Sequence, residues 1–342
     1  MGTCEPAELP ATWDADGTVV RVERATATIE QAAGLLRACW GARLLAAVAA
    51  DPEATPCTGD RVSVRHWPDG RLTVEAVHPR RTLLARGEAS RTSRRQLLAA
   101  NVDVVAVLEG FSPDPDPARV ERLLALAWAS GAEPVVVLTK ADLVADPVEV
   151  AADVVAAAVG CRVLSVSAVT GEGVPEVRAL LDGGRTAALL GASGVGKSSL
   201  VNALAGAEVM RVRALRADGK GRHTTVTREL HRVAGGAVID GPGLRAVGLG
   251  EQAGVDQVFT DVLEHAAACR FADCSHEHEP GCAVLAAVES GELEQRRLDS
   301  WRKLRAEGRW QEIRRDARLR AEEARVWRAR ARELRRCGRI RP

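Results

Sequence analysis

The spacing of hydrophobic and polar positions changes once along the chain. From Gly17 to about Arg86, apolar residues come in short, partly alternating runs: "GTVVRVERATATIE", "ARLLAAVAA", "DRVSVRHW" and "RLTVEAVH". Alternation with a period of two marks strands that bury one face. Thr58-Gly59-Asp60 and Pro68-Asp69-Gly70 provide turns between them. The pattern predicts a small closed β-barrel over 17–86. Residues 1–16, rich in Pro, Ala and Asp, read as a disordered N-terminus. Residues 87–100, "GEASRTSRRQLLAA", read as a basic linker.

At Asn101 the regime shifts to continuous apolar runs alternating with helical periodicity. "VDVVAVLEG", "PVVVL", "RVLSV" and "TAALL" are predicted strands. Between and after them lie helices at 117–131, 148–158, 173–181 and 197–205. The first of these opens on Pro117 and ends at Gly131. Strands buried on both faces and separated by helices predict an α/β domain with a mostly parallel sheet, spanning 101–248. The remainder, 249–342, reads as helical, interrupted by "CRFADCSHEHEPGC". Trp301, Leu304, Trp310 and Ile313 recur there at helical spacing and form a core-facing stripe.

Charge adds an asymmetry. Across 342 residues the net charge is +1, but residues 301–342 hold 16 Arg and Lys against 6 Asp and Glu, leaving 31 against 40 in the first 300. A basic tail on an acidic body points to a polyanionic partner, with nucleic acid the first candidate. No apolar run reaches the ~20 residues of a membrane span, and no signal-peptide pattern is present. The expectation is a cytoplasmic protein with no membrane partner.

Chemistry concentrates where strands end. "GASGVGKS", residues 191–198, fits G-x-x-x-x-G-K-[ST] between a strand and a helix. Gly191, Gly194 and Gly196 let backbone N–H groups converge on phosphate oxygens, and the helix start carrying Ser199 adds a favourable partial charge. Lys197 reaches the β- and γ-phosphates, and the Ser198 hydroxyl ligates Mg²⁺. "LTKADL" follows another strand. There Asp142 is placed to accept two hydrogen bonds from guanine, which adenine cannot supply. Thr139 opens that motif, and the stem of Lys140 can lie against the base. In "SVSAVTGEG", Ser167 and Ala168 complete the base-reading edge, with the Ala168 N–H directed at guanine O6. These features select GTP or GDP and disfavour a P-loop ATPase or kinase. In "AVIDGPGL", Asp240 can hold Mg²⁺ through water, and Gly243 brings its N–H to the γ-phosphate. The polar segment "DGKGRHTTVTREL" reads as a switch, with Thr225 favoured over Thr224 as its metal ligand. Leu244 stands where Ras-like enzymes carry a water-orienting Gln, so slow intrinsic turnover is expected. His223 is a candidate to orient the water instead. The candidate catalytic set is therefore Lys197, Thr225 and His223.

"CRFADCSHEHEPGC" offers Cys269, Cys274, His276 and Cys282, three thiols and one imidazole that can close a tetrahedral, structural Zn²⁺ site. His278 competes with His276 for the fourth position.

The base-reading elements precede the phosphate loop, the reverse of the conventional order. The chain thus reads as a circularly permuted P-loop GTPase, which is physically permissible because the site forms at the strand ends whatever order the chain visits them. The barrel, "AANVD" at 99–103, the permuted order, "GRHTT" at 221–225 and the Cys/His module before a basic helix resemble the ribosome small-subunit-dependent GTPase A (RsgA/YjeQ) family over about 17–320. The resemblance implies an N-terminal OB-fold, a permuted GTPase domain and a C-terminal zinc domain. It implies GTP hydrolysis stimulated by the small (30S) ribosomal subunit during its late maturation, contact with its rRNA, and a monomer away from the ribosome. Two residues depart from the family pattern: Thr139 replaces the Asn of N-K-x-D, where loop ordering is at stake, and Gly241 replaces the Ser or Thr of D-x-P-G. The competing readings are a GTP-dependent RNA-binding assembly factor with negligible turnover and a permuted GTPase of the large subunit.

Overall fold

A computed structural model describes residues 13–87, 95–210, 228–241 and 253–315, together with helical residues 321 and 325. The N-terminal unit comprises β1 (Trp13–Glu23), β2 (Thr26–Gln31), β3 (Gly34–Trp40), α1 (Ala42–Ala50), β4 (Arg61–His66) and β5 (Leu72–Val77). β1 pairs antiparallel with both β2 and β4, β3 runs parallel to β5, and β4 pairs with β5. This closes a five-stranded barrel of the OB arrangement. Its core is Val19, Ala27, Ile29, Ala38, Leu44, Val62, Val64 and Val74, set by strand alternation, with α1 contributing Leu44.

Five expectations need correction. Of the stripe expected to face the core in the C-terminal helix, Trp301 and Leu304 are buried but Trp310 is 61% exposed. "ARLLAAVAA" is the helix α1, not a strand. An Ala-rich apolar run fits either element, and Ala and Leu favour helix when only one residue must face the core. The barrel begins at Trp13, inside the stretch expected to be disordered, because 13–18 pair with 61–66. β3 lies outside the predicted strands. Finally, 95–100 is not linker: β7 (Arg95–Ala100) pairs with β6 (Leu83–Gly87) in a separate hairpin. Leu98, Ala99 and Ala100 are buried against the next domain, and their apolar run outweighs the charges before it.

The second unit carries β8 (Val104–Gly110), α2 (Pro117–Ala129), β9 (Glu133–Thr139), α3 (Pro147–Ala157), β10 (Arg162–Val166), α4 (Val174–Ala179), β11 (Thr186–Gly191), α5 (Lys197–Ala205), β12 (Glu229–Val233) and β13 (Gly236–Asp240). Its strands lie in the order β10-β9-β8-β11-β13-β12. All neighbours are parallel except β12, which returns antiparallel beside β13. Every residue of β8 is buried, as a central parallel strand requires. Apolar clusters cover both faces of the sheet. β12 also meets β1 at the pair Arg21↔Glu229, so barrel and sheet join edge to edge.

The C-terminal helices are α6 (Ala253–Val258), α7 (Thr260–Ala266), α8 (Ala283–Ser290) and α9 (Gln295–Arg315). α6 lies so close to α2 that a Cβ on Gly254 would sit 2.0 Å from the Ala125 carbonyl oxygen. Arg297 of α9 is 3% exposed and fastens this unit to the sheet domain. It donates to both oxygens of Asp261 (2.8 and 3.0 Å), to Glu121 Oε1 of α2 (2.9 Å), and to the carbonyls of Val258 (2.6 Å) and Ala157 (3.1 Å). Its guanidinium also stacks 4.4 Å from the Phe259 ring centre. Glu121, fully buried, is satisfied by Arg297, Arg296 and the Ser300 hydroxyl. Among the described residues no helix is long and apolar enough to cross a membrane.

Candidate nucleotide site and metal centre

The parallel order brings the ends of β9, β10, β11 and β13 to one edge of the sheet, and the predicted parts converge there. β11 ends at Gly191, where a Cβ would lie 2.6 Å from the Leu108 carbonyl oxygen, so only glycine lets this strand pass β8. The loop then turns through Gly194 (φ 79°) and Gly196 (φ 105°), both left-handed. Gly196 offers no side chain to cap α5, and the helix opens on Lys197 and Ser198 with its first N–H groups free of a side-chain acceptor. Lys197 is 7% exposed, and its Nζ donates to the carbonyls of Gly191 (3.0 Å) and Ala192 (2.8 Å), curling the loop around itself.

Asp240 closes the other side, at the end of β13. Its Oδ1 is buried without a hydrogen-bond partner among the described residues. Burial raises its pKa, an effect opposed by the Lys197 ammonium. Burial lowers the Lys197 pKa, and Asp240 counters it. A buried carboxylate oxygen lacking a donor beside a buried ammonium suits a cation and an anion held together, as Mg²⁺ and phosphate are.

On the base side, Lys140 takes a left-handed conformation (φ 64°) and starts the single turn Ala141–Leu143. This turn presents Asp142 to solvent while its Oδ1 accepts a 2.6 Å hydrogen bond from Ser167 Oγ. Ser167 is fully buried, and its hydroxyl also accepts from the N–H groups of Val169 (3.2 Å) and Thr170 (3.1 Å). One serine thus orients the aspartate and shapes the turn that carries Ala168. Lys140 Nζ donates to the Ser112 carbonyl (3.0 Å), which ties this side chain to the segment after β8.

Thr139 is 4% exposed, and its hydroxyl meets the carbonyls of Val195, in the phosphate loop, and Glu109 (3.2 Å). The departure from Asn therefore leaves a side-chain tie between the base-reading strand and the phosphate loop. Glu109 itself is buried at the end of β8 and paired with Arg119 of α2. Sequence reasoning did not single out this pair; the lone acid in an otherwise apolar strand was its only signal. Thr224, Thr225, His223, Gly243 and Leu244 lie outside the described residues.

In the C-terminal unit, Cys269, Cys274, His276 and Cys282 bring one donor atom each within 4.8 Å of one another. Cys269 Sγ lies 3.9 Å from Cys282 Sγ and 3.5 Å from His276 Nδ1, which is 3.4 Å from Cys282 Sγ. Zinc–sulfur bonds of about 2.3 Å and a zinc–nitrogen bond of about 2.0 Å set at tetrahedral angles give edges of about 3.8 and 3.5 Å, so the donor set fits zinc. His276, not His278, supplies the imidazole of this cluster, in a left-handed backbone conformation (φ 58°). The backbone N–H of His278 donates to Glu279, which also caps Ser275 and Glu277 and braces the loop. The His276 ring lies 5.5 Å from that of Trp301 in α9, and Arg302 donates to the His276 carbonyl.

A phosphate loop, a T-K-x-D turn and a strand ending at Asp240, assembled with the T-K-x-D half first, define a circularly permuted P-loop GTPase. The RsgA GTPase family model matches residues 77–250. "Small ribosomal subunit biogenesis GTPase RsgA" of Streptomyces avermitilis is 48% identical, with 95% of this chain and 92% of the relative covered. Its counterpart in Streptomyces coelicolor is 52% identical, over 90% of this chain and 84% of the relative. Among solved structures, YjeQ from Thermotoga maritima superposes with a TM-score of 0.62 at 27% identity, covering 86% of this chain and 99% of that one. YloQ, described as a circularly permuted GTPase, superposes with a TM-score of 0.59 over 89% of this chain and 98% of its own; at 22% identity it speaks for the fold. The chain belongs to the RsgA GTPase family.

Proposed function

We propose that this protein hydrolyses GTP in the maturation of the small ribosomal subunit, with the subunit and its rRNA as partner and stimulus. The observation that carries the reading is the pairing of Asp142, pre-oriented by Ser167, with the Lys197 and Asp240 charges across one sheet edge. Asp142 reads guanine, and the Lys140 stem lies along the base. The Ala168 N–H meets the base oxygen. The Lys197 ammonium exchanges its carbonyl contacts for phosphate oxygens, while the α5 N–H groups around Ser198 and Ser199 hold the same phosphates. Ser198 and Asp240 hold Mg²⁺, which supplies charge neutralisation at the phosphates. Thr225, His223 and Gly243 complete the γ-phosphate side, and turnover is slow until a partner orders them. The Cys₃His set holds one structural Zn²⁺ that fixes the fold of its loop and performs no chemistry.

The test is single-turnover GTP hydrolysis by the protein alone, with purified small subunits, and with purified large subunits. Stimulation by small but not large subunits is expected. Equal rates in all three conditions would overturn the reading.

A further inference from the structure

α3 has two apolar faces. Ala151, Val154 and Ala157 point into the domain core, as a packed helix requires. The opposite face is apolar as well. Val148 is 82% exposed, Val155 54%, and Val159, just past the helix end, 38%. With exposed Ala152 they form a row at i, i+4, i+7 and i+11, about 16 Å long. Glu149 and Asp153, one turn apart, run beside this row, and Asp146 caps the helix start through the N–H groups of Val148 and Glu149. From residue 141 to residue 161 the chain holds four acids and no Lys or Arg. Among the described residues, Glu149 and Asp153 have no cationic partner. By contrast, Glu133 meets both Arg162 and Arg185, and Glu30 on the barrel meets Arg232.

An exposed apolar row flanked by unpaired acids is a surface with a preference. RNA phosphates are repelled by it. A segment with an apolar face and Arg or Lys alongside satisfies both features at once. On a particle made of polyanionic RNA and the basic proteins that neutralise it, only the proteins carry that chemistry.

We propose that the outer face of α3 is a docking surface for a protein of the small subunit, engaged through an Arg/Lys-rich segment with one apolar face. This rests on the reading that the small subunit is the partner. It assigns the acidic side of the GTPase domain to protein and leaves RNA to the basic elements.

Charge reversal separates the possible contacts. In co-sedimentation with purified small subunits and a non-hydrolysable GTP analogue, Glu149→Lys with Asp153→Lys is expected to weaken association about tenfold, equivalent to about 1.4 kcal/mol. Val148→Asp with Val155→Asp is expected to weaken it at least as much. Nucleotide affinity and thermal midpoint should stay at wild-type values in both, since these side chains are exposed and outside the nucleotide site. Tighter binding of the Lys variant would mean that the face meets RNA, and unchanged binding that it meets nothing; either overturns the proposal. A photo-crosslinking residue at Ala152 should join the chain to a basic protein segment of the subunit, and a cross-link to rRNA alone also overturns it. If wild-type protein fails to sediment with small subunits, the reading of the partner falls first and the proposal with it.

Discussion

Replacing Thr139 by Val keeps the branching and volume of a buried side chain and removes only its hydroxyl. That hydroxyl lies between the Val195 and Glu109 carbonyls, and Gly196 packs so tightly on it that an added Cβ would sit 3.3 Å from Oγ1. The hydroxyl has one proton to give, so without it one of these buried carbonyls, that of Val195 in the phosphate loop by the closer contact, loses its donor. An unsatisfied buried acceptor costs about 1–3 kcal/mol. Bound nucleotide demands the loop in place, whereas the free protein can relax it, so most of that cost falls on affinity. At about 1.4 kcal/mol per tenfold, binding of GTP and GDP should weaken alike by about 5- to 150-fold. Thr139→Ser, which keeps the hydroxyl, should recover most of the loss. Titration with fluorescent GTP and GDP analogues reads both constants. If the Val variant binds both nucleotides within about twofold of wild type, the tie does not organise the loop and the reasoning is refuted.

Two further outcomes are expected. Arg297→Met leaves Asp261 without its bidentate partner and Glu121 short of one cation in a buried site, and should lower the unfolding free energy in urea by about 3–5 kcal/mol. Chelation that strips metal from the purified protein should raise hydrogen exchange in α8 and the start of α9, because His276 and Trp301 hold the loop to that helix; unchanged exchange there, with metal analysis showing loss, would contradict it.

The strands of the sheet domain were legible because burial on both faces leaves an uninterrupted apolar run, as in "VDVVAVLEG". The phosphate loop was legible because its glycines have few other uses at that spacing. The barrel was harder to read. α1 buries one leucine, so its Ala-rich run carried no decisive period, and β7 was hidden behind its leading arginines. Long-range ties were invisible for a different reason. Arg297 and Glu121 stand 176 residues apart, and nothing local distinguishes that arginine from its many neighbours. The role of Thr139 was likewise obscured, since the carbonyl it meets belongs to a loop 56 residues away.

The single pair that joins β12 to β1 bears on solubility. β12 ends the parallel sheet, and a terminal strand offers unpaired N–H and C=O groups to any other extended chain. Here the barrel occupies the start of that border, with Arg21 facing Glu229 and Arg232 bound to Glu30 further along. A fragment beginning at Thr82 would keep the β6–β7 hairpin packed on the domain and every described residue proposed to hold nucleotide, and lose this cover. Such a fragment is expected to bind GDP yet self-associate with rising concentration, so the barrel shields the domain behind it from strand-to-strand aggregation as well as extending it.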